Sequence, residues 1–227
     1  SSKAALSAQE AVELTAVPSR TLELEASELP GFIAGLPRLL TKHLYIRVSG
    51  SLTANTLNFE GFYGSGSMQI VQVDKDAVFK TQAILNDCSV SMSFNDIRFQ
   101  CPDSALKGDS YGICASHCSS VRIYGCTFSG GSTVNKDYYA FNSNVGSTML
   151  AFNICAEHCA HVALASNGGI LTVSGLDSVD ALHDNETGAY VYHGGIITIF
   201  GHTPDTLGGN VNLKAGGIIV KEDGTLL

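Results

Sequence analysis

The feature that most constrains this chain is an internal repeat of 22–28 residues. Without gaps, residues 111–123 match residues 139–151 at an offset of 28, and residues 163–175 match residues 189–201 at an offset of 26. The sequence Gly-Gly-Ile-Ile at 194–197 returns 22 residues later. Such a repeat with short apolar strands predicts a solenoid, because one unit cannot bury its apolar face without its neighbours.

Apolar side chains two residues apart recur along most of the chain. Residues at this spacing lie on the same face of a β-strand, so the pairs predict stacked strands around an apolar column. The nine pairs, spaced by 21–29 residues, are Leu22/Leu24, Leu44/Ile46, Met68/Ile70, Met92/Phe94, Val121/Ile123, Met149/Ala151, Ile170/Thr172, Ile196/Thr198 and Ile218/Val220. Leu171/Val173 and Ile197/Ile199 are equally apolar, so the late register stays open between two alternatives one residue apart.

The segments between the strands indicate the fold class. A βαβ fold needs about 10–15 helical residues between strands. Past residue 50 the connections are instead Gly, Ser, Asn and Asp with a second short apolar run. We therefore predict an all-β solenoid, a single-stranded parallel β-helix of about eight or nine coils, which is right-handed because parallel crossovers are. An antiparallel sandwich or barrel is the alternative, which hairpin signals would favour.

The chain divides into three parts by composition. Residues 1–20 are Ala-rich and predict a helical stem or linker, and residues 21–50 contain the first strands and a short capping helix. Residues 51–227 are the β-helix coils. The cap is needed because the end of the apolar column would otherwise face water.

The capping helix is predicted over residues 29–40. Ser27 is the expected N-cap, and Pro30 stands near the start, where proline is tolerated. We expect the helix to bury Phe32, Leu36 and Leu39 against the first coil.

Charge and cysteine content exclude several classes of function. The net charge is −8, from 13 Lys and Arg against 21 Asp and Glu, which argues against binding to nucleic acid or to anionic membrane surfaces. No apolar run approaches the ~20 residues of a membrane span, so no membrane insertion is expected, and no signal peptide is visible. We expect the seven cysteines to be buried free thiols, which suits a protein that folds in a reducing cytoplasm.

Three coil intervals are longer than the others and predict insertions at residues 100–110, 129–137 and 177–188. Insertions at equivalent points of a solenoid stack on one side and commonly form its binding face. The candidate ligand contacts in and beside these insertions are Asp103, Asp109, Asp137, Tyr138, Tyr139, Asp184 and Glu186.

The same insertions hold the candidate catalytic carboxylates Asp109, Asp137, Asp180 and Asp184. Glycan cleavage needs two carboxylates about 5–10 Å apart, and adjacent coils are about 4.8 Å apart. Three interpretations stay open for these residues: solvated turn formers, sugar binding without cleavage, and catalysis.

Two cysteine–histidine motifs could suggest a metal site. Cys114-Ala-Ser-His117-Cys118 is followed 41 residues later by Cys155-Ala-Glu-His158-Cys159. Because 41 is not a coil length, we place the motifs at different corners and predict neither a metal nor a cofactor. The asparagines Asn142, Asn144, Asn153 and Asn167 are expected to form structural ladders along the turns.

Several segments resemble known β-helix proteins. Residues 36–41, 44–50 and 59–68 resemble the start of β-helix proteins encoded in bacteriophage and prophage tail regions. Residues 112–128 are similar to coils of the pectate-lyase-like right-handed β-helix, and residues 216–226 resemble the C-terminal ends of phage tail-fibre proteins. The resemblance implies a receptor-binding or structural tail component, often a homotrimer.

The expected function follows from this resemblance. It is a phage or prophage tail-fibre or tailspike-like structural protein, without enzymatic activity, that binds a host surface or its carbohydrate or forms a rigid spacer. Such a protein is located in the virion, or in the bacterial cytoplasm before assembly, and acts outside the cell. The alternative is a polysaccharide depolymerase, a glycoside hydrolase or lyase, on the same β-helix.

Overall fold

The chain folds into a parallel β-helix with one short helix near the N-terminus. The structure is a computed structural model that describes residues 19–102, 110–132, 135–174, 182–200 and 210–227. Most of the predicted N-terminal stem lies outside the described residues. No helix in the described ranges is long and apolar enough to cross a bilayer.

Sheet A is a continuous stack of nine parallel strands along one side of the β-helix. Each coil contributes one strand to it. The strands are β1 (Ser19–Glu25), β2 (His43–Ser49), β4 (Ser67–Gln72), β6 (Ser91–Asn95), β9 (Val121–Tyr124), β12 (Thr148–Phe152), β15 (Ile170–Ser174), β18 (Ile196–Phe200) and β20 (Ile218–Val220).

The second sheet divides at β5 into two faces, which we call sheet B and sheet C. The start of β5 (Phe79–Asn86) pairs with β7 (Arg98–Gln100), and its end pairs with β8 (Ser110–Ser116). Sheet B continues through β7 (Arg98–Gln100), β10 (Thr127–Ser129), β13 (Cys155–Glu157) and β16 (Leu182–His183). Sheet C consists of β3 (Leu52–Glu60), β5, β8 (Ser110–Ser116), β11 (Asn135–Asn144), β14 (Cys159–Ser166), β17 (Thr187–Tyr192) and β19 (Asn210–Leu213).

The strand pairing is parallel throughout both sheets, as the sequence predicts. The offset of 28 pairs Tyr111 with Tyr139, and the offset of 26 pairs Ala163 with Ala189. The antiparallel sandwich or barrel is therefore wrong. Right-handedness stays a prediction from the chirality of parallel crossovers.

The β-helix has about seven turns, fewer than the eight or nine expected. Between β1 and β2 the chain forms the helical cap instead of strands of sheets B and C. Strand β1 therefore belongs to sheet A without being part of a complete coil.

The structure confirms the first six sheet A pairs and decides the open register of the last three strands. Leu171, Ile197 and Ile219 are fully buried, whereas Ile170 is 42% exposed, so the pairs Ile170/Thr172, Ile196/Thr198 and Ile218/Val220 lie on the outer face. The sequence could not separate the two registers because isoleucines also occupy the outer face there, so the alternation of apolar and polar residues that fixes a register is lost.

The helical cap is shorter than predicted. A 3-10 turn (Ala26–Glu28) leads into α1 (Leu29–Gly35). The helix ends here because Leu36 precedes Pro37 and is extended, with ψ 138°, as residues before proline favour. The expected N-cap Ser27 lies inside the 3-10 turn, where Glu25 and Glu28 form a capping box instead.

The cap packs against β3 with Phe32 and Leu36 buried, as predicted. The prediction for Leu39 is wrong, because its side chain is 46% exposed. After Pro37 the chain runs alongside the first coil, where Leu39 forms a parallel bridge with Tyr63.

The interior is filled by apolar side chains from all three sheets. Phe99 and Phe128 occupy equivalent places in successive sheet B strands, and their rings stack with centroids 5.5 Å apart. Gly112 allows this packing, since a Cβ there would lie 2.4 Å from the Phe128 ring and 2.5 Å from the Ala140 carbonyl oxygen. Neighbouring coils therefore constrain each other's side-chain size.

Asparagines connect the corners between sheets C and A. Asn167 Nδ2 donates to Asn144 Oδ1 over 2.8 Å, and Asn144 Nδ2 donates to Ser116 Oγ over 3.3 Å. The predicted ladder is thus present for Asn144 and Asn167. Asn142 bonds instead to the Cys114 sulfur, and Asn153 lies at a different corner.

Candidate functional site

A groove of about 370 Å3 runs along the outer face of sheet B. Its walls and floor combine hydroxyl, amide and charged groups with the edges of the buried phenylalanines. The polar side chains that line it are Arg98, Gln100, Thr127, Ser129 and Glu157.

The groove follows from the alternation within three short strands. Phe99, Phe128 and Ala156 point into the core, so the residues before and after each of them point outward. Successive coils therefore place Gln100, Ser129 and Glu157 in one row, with the strands about 4.8 Å apart. Sequence reasoning missed this row. The sequence carries no local signal for it, because a three-residue strand shows no periodicity and the row forms only when the coils are stacked.

Hydrogen bonding fixes the negative end of the groove. Ser129 Oγ donates to Glu157 Oε1 over 3.0 Å, and the same Ser129 oxygen accepts from the Gly131 backbone N–H over 3.3 Å. Arg98 is exposed two coils away. The groove thus presents a cation at one end and a carboxylate at the other, with neutral hydroxyl and amide groups between them.

The second predicted insertion borders this groove. It begins at Ser129, and Gly131 is part of the groove lining. Asp137 is exposed at its far end, where the backbone N–H donates to Asn135 Oδ1 over 3.0 Å. The first insertion also lies between a sheet B strand and a sheet C strand, but Asp103 and Asp109 fall outside the described residues.

The third predicted insertion does not occupy the equivalent place. Residues 175–181 connect β15 of sheet A to β16 of sheet B, and Asp180 lies among them, outside the described residues. Asp184 and Glu186 follow β16 and are exposed at the corner between sheets B and C. The sequence does not predict a strand within this insertion, because β16 is only two residues long and carries no apolar pair.

Asp184 lies next to a histidine of the preceding coil. Its Oδ2 is 4.0 Å from His158 Nε2, and the His158 side chain is 21% exposed. Both residues have positive φ, 54° for Asp184 and 56° for His158, so they form equivalent turns in adjacent coils. Glu157 lines the groove and is the residue before His158, so the Asp184–His158 pair lies at the corner next to the carboxylate end of the groove.

The two predicted tyrosines have different surroundings. Tyr138 is a core residue and not a surface contact, because it points inward and is fully buried. Burial raises the pKa of its hydroxyl well above the usual range, and the nearby Cys159 and Cys101 thiols act in the same direction.

Tyr139 belongs to an aromatic column on the outer face of sheet C. Its ring stacks on Tyr111 at 5.3 Å and on His161 at 4.8 Å, and His161 in turn lies 4.6 Å from Tyr190. Stacked rings cover each other's faces, which are the surfaces a sugar ring would contact. This column therefore stabilises the coil stack and is a poorer binding surface than the sheet B groove.

The two cysteine–histidine motifs lie at different corners, as predicted. Cys118 is buried at the corner between sheets C and A, and Cys159 is buried at the corner between sheets B and C. Within the described ranges, no three His, Cys, Asp or Glu side chains converge as a metal site.

Comparison with known proteins finds no family model, no curated protein and no solved structure that matches this chain.

Proposed function

We propose that this protein binds a bacterial surface polysaccharide along the outer face of sheet B, as a tail-fibre or tailspike-like component of a phage or prophage. The observation that carries the proposal is the polar groove between Arg98 and Glu157. The phage assignment rests on the sequence resemblance of the first coils and of residues 216–226 to tail proteins.

Three properties of the groove suit a polysaccharide. It spans three successive coils of the stack, so equivalent groups repeat in register with the coils. Its neutral donors and acceptors, Gln100, Thr127 and Ser129, match sugar hydroxyls, which bind through several hydrogen bonds of modest strength. Its β-strand floor is rigid, which reduces the entropy lost on binding.

A groove-filling substitution tests this proposal. Thr127→Trp places a large ring in the groove, whereas Thr21→Trp makes the same change at an exposed outward position of β1 in sheet A. Against a panel of bacterial surface polysaccharides, we expect calorimetric binding by the wild type and by Thr21→Trp, and at least a tenfold weaker affinity for Thr127→Trp. Equal affinity of the two variants, or no binding by the wild type to any glycan, would contradict the proposal.

Cys155 supplies a second readout, because it lines the groove and is only partly buried. A bound polysaccharide is expected to slow its alkylation. If saturating glycan leaves the alkylation rate unchanged, the ligand does not lie in this groove.

A depolymerase is the second candidate function, and the position of Glu157 beside the Asp184–His158 pair favours it. Glu157 and Asp184 belong to adjacent coils, which are about 4.8 Å apart, and glycan cleavage uses two carboxylates about 5–10 Å apart. A reducing-end assay on the bound polysaccharide separates the two functions. If cleavage occurs, Glu157→Gln is expected to abolish it while binding is retained. Cleavage that survives this change would exclude Glu157 as a catalytic group.

We also propose that the protein assembles as a homotrimer, through the outer face of sheet A near the C-terminal end. Ile170, Ile196 and Ile218 pair in register in successive coils there and form an uncharged apolar row, in which Ile170 and Ile218 are exposed and Ile196 is half-buried. The same row on another copy has the same coil spacing, so the two can pack in register. Sedimentation equilibrium is expected to give three times the chain mass for the wild type and a smaller species for Ile170→Lys.

A further inference from the structure

We propose a second binding site, on the outer face of sheet A, that takes the carboxylate-bearing sugar of an acidic saccharide. This site is a groove of about 410 Å3 that lies on a different sheet from the groove described above. Its existence does not depend on the sheet B groove.

The groove forms because small side chains lie between larger ones. The outward residues that line it in β4 and β6, which we call its floor, are three serines and two amides, Ser67, Ser91, Ser93, Gln69 and Asn95. In the next two coils, Arg122, Tyr124, Leu150 and Phe152 stand above this floor. The result is a depression with a hydroxyl and amide floor and a cationic and aromatic wall.

Arg122 is the charged group of this site. No Asp or Glu lines the groove, and the ion pairs of the described residues do not include Arg122. Its guanidinium is exposed. An arginine in this situation favours a planar anion that accepts two parallel hydrogen bonds, and a carboxylate has this shape.

Tyr124 supplies the surface for the sugar ring. Its side chain is 45% exposed, and one face of it stacks on Phe152 with centroids 5.5 Å apart and planes 12° apart. The stacking fixes the orientation of the ring, so its other face is held in place for a ligand. Tyr124 follows Arg122 by two residues, and therefore both project from the same side of β9.

The hydroxyl groups of the floor determine which groups the ligand needs besides the carboxylate that binds Arg122. Ser93 Oγ donates to Asn95 Oδ1 over 2.7 Å, and Ser67 Oγ bonds to His43 Nδ1 over 2.9 Å. Each hydroxyl oxygen keeps a lone pair to which a sugar hydroxyl can donate. A ligand that matches the groove combines one carboxylate with several hydroxyls, which is the chemistry of a uronic-acid oligosaccharide.

The test compares two ligands that differ only in charge. Calorimetry is carried out with a uronic-acid tetrasaccharide and with the same tetrasaccharide after its carboxylates are reduced to alcohols. We expect the acidic form to bind at least tenfold more tightly than the reduced form, since a hydrogen-bonded charge pair at a surface contributes about this much. Equal affinity for the two forms would overturn the proposal.

Matched arginine variants locate the site. Arg122→Gln is expected to weaken the acidic tetrasaccharide by about tenfold and to leave the reduced form unchanged. Arg47→Gln is the control, because Arg47 is outward in the same sheet, pairs with Glu23 and does not line the groove. The same loss in both variants would indicate a general charge effect and would overturn the site.

A third variant separates this site from the sheet B groove. Thr127→Trp is expected to leave binding of the acidic tetrasaccharide unchanged. If Thr127→Trp abolishes that binding and Arg122→Gln does not, the acidic sugar binds in sheet B and the sheet A site is wrong. Loss in the Arg122 variant alone supports the sheet A site whether or not sheet B binds any glycan.

Discussion

At the residue scale, the cysteines show how a position in the coil determines chemistry. Cys88 and Cys118 occupy equivalent corners of successive coils, where the Ser119 N–H donates to the Cys88 carbonyl oxygen. A hydrogen bond from the Cys118 thiol lowers the pKa of Cys88 to about 7, and the same bond together with burial raises the pKa of Cys118. Burial raises the pKa of Cys126 to about 12.

We predict that Cys88, Cys118 and Cys126 do not react with a thiol reagent at pH 8 in the native protein, whereas Cys155 does. The reactive species is the thiolate, and the high pKa keeps Cys126 protonated at this pH. Cys88 is ionised more readily, but it is fully buried, so the reagent cannot reach it. All seven thiols are expected to react after unfolding. Rapid native-state modification of Cys88 would contradict this burial.

At the element scale, the cap depends on which leucines face the coil. Leu36 is 3% exposed and Leu39 is 46% exposed, although they are three residues apart. Leu36→Asp is expected to lower the free energy of unfolding by about 3 kcal/mol, because it places a charge in an apolar contact, and to cause aggregation through the uncovered end.

Leu39→Asp is the matched control for this prediction. Its side chain can keep the charge in water, so urea unfolding is expected to change by less than about 0.5 kcal/mol. Equal stability of the two variants would show that residues 29–36 do not cap the stack.

The late strands provide a test of register. Val173 is 1% exposed, and Thr172 beside it is on the outer face. We predict that Val173→Asp prevents folding or lowers stability by about 3 kcal/mol or more, whereas Thr172→Asp is tolerated. Thermal unfolding followed by circular dichroism distinguishes them. The opposite order would restore the register in which Ile170 and Thr172 face inward.

At the scale of the whole molecule, the sequence predicts the architecture better than the site. Repeat offsets give the coil pairing directly, because parallel stacking places residues one coil apart side by side. The short strands of sheet B were not recognised as a surface, because three residues such as Arg98-Phe99-Gln100 show no periodicity by themselves. Their outward side chains form a groove only after the coils are stacked, so no local pattern identifies it.

The remaining differences between the predicted and the observed site residues arise at the corners of the coils and from the pleat of one strand. Coil length alone cannot show which corner an insertion occupies, and β16 is too short to indicate that residues 175–181 precede a sheet B strand. Tyr138 and Tyr139 are adjacent, and only the pleat of β11 decides which of them is buried.

The most direct test of the account is a crystal structure of the protein with an oligosaccharide fragment of a surface polysaccharide that it binds. The account predicts sugar rings along the outer face of sheet B, between Arg98 and Glu157, with hydrogen bonds to Gln100 and Ser129. A neutral oligosaccharide bound at saturation on another face, with the sheet B groove empty, would contradict it.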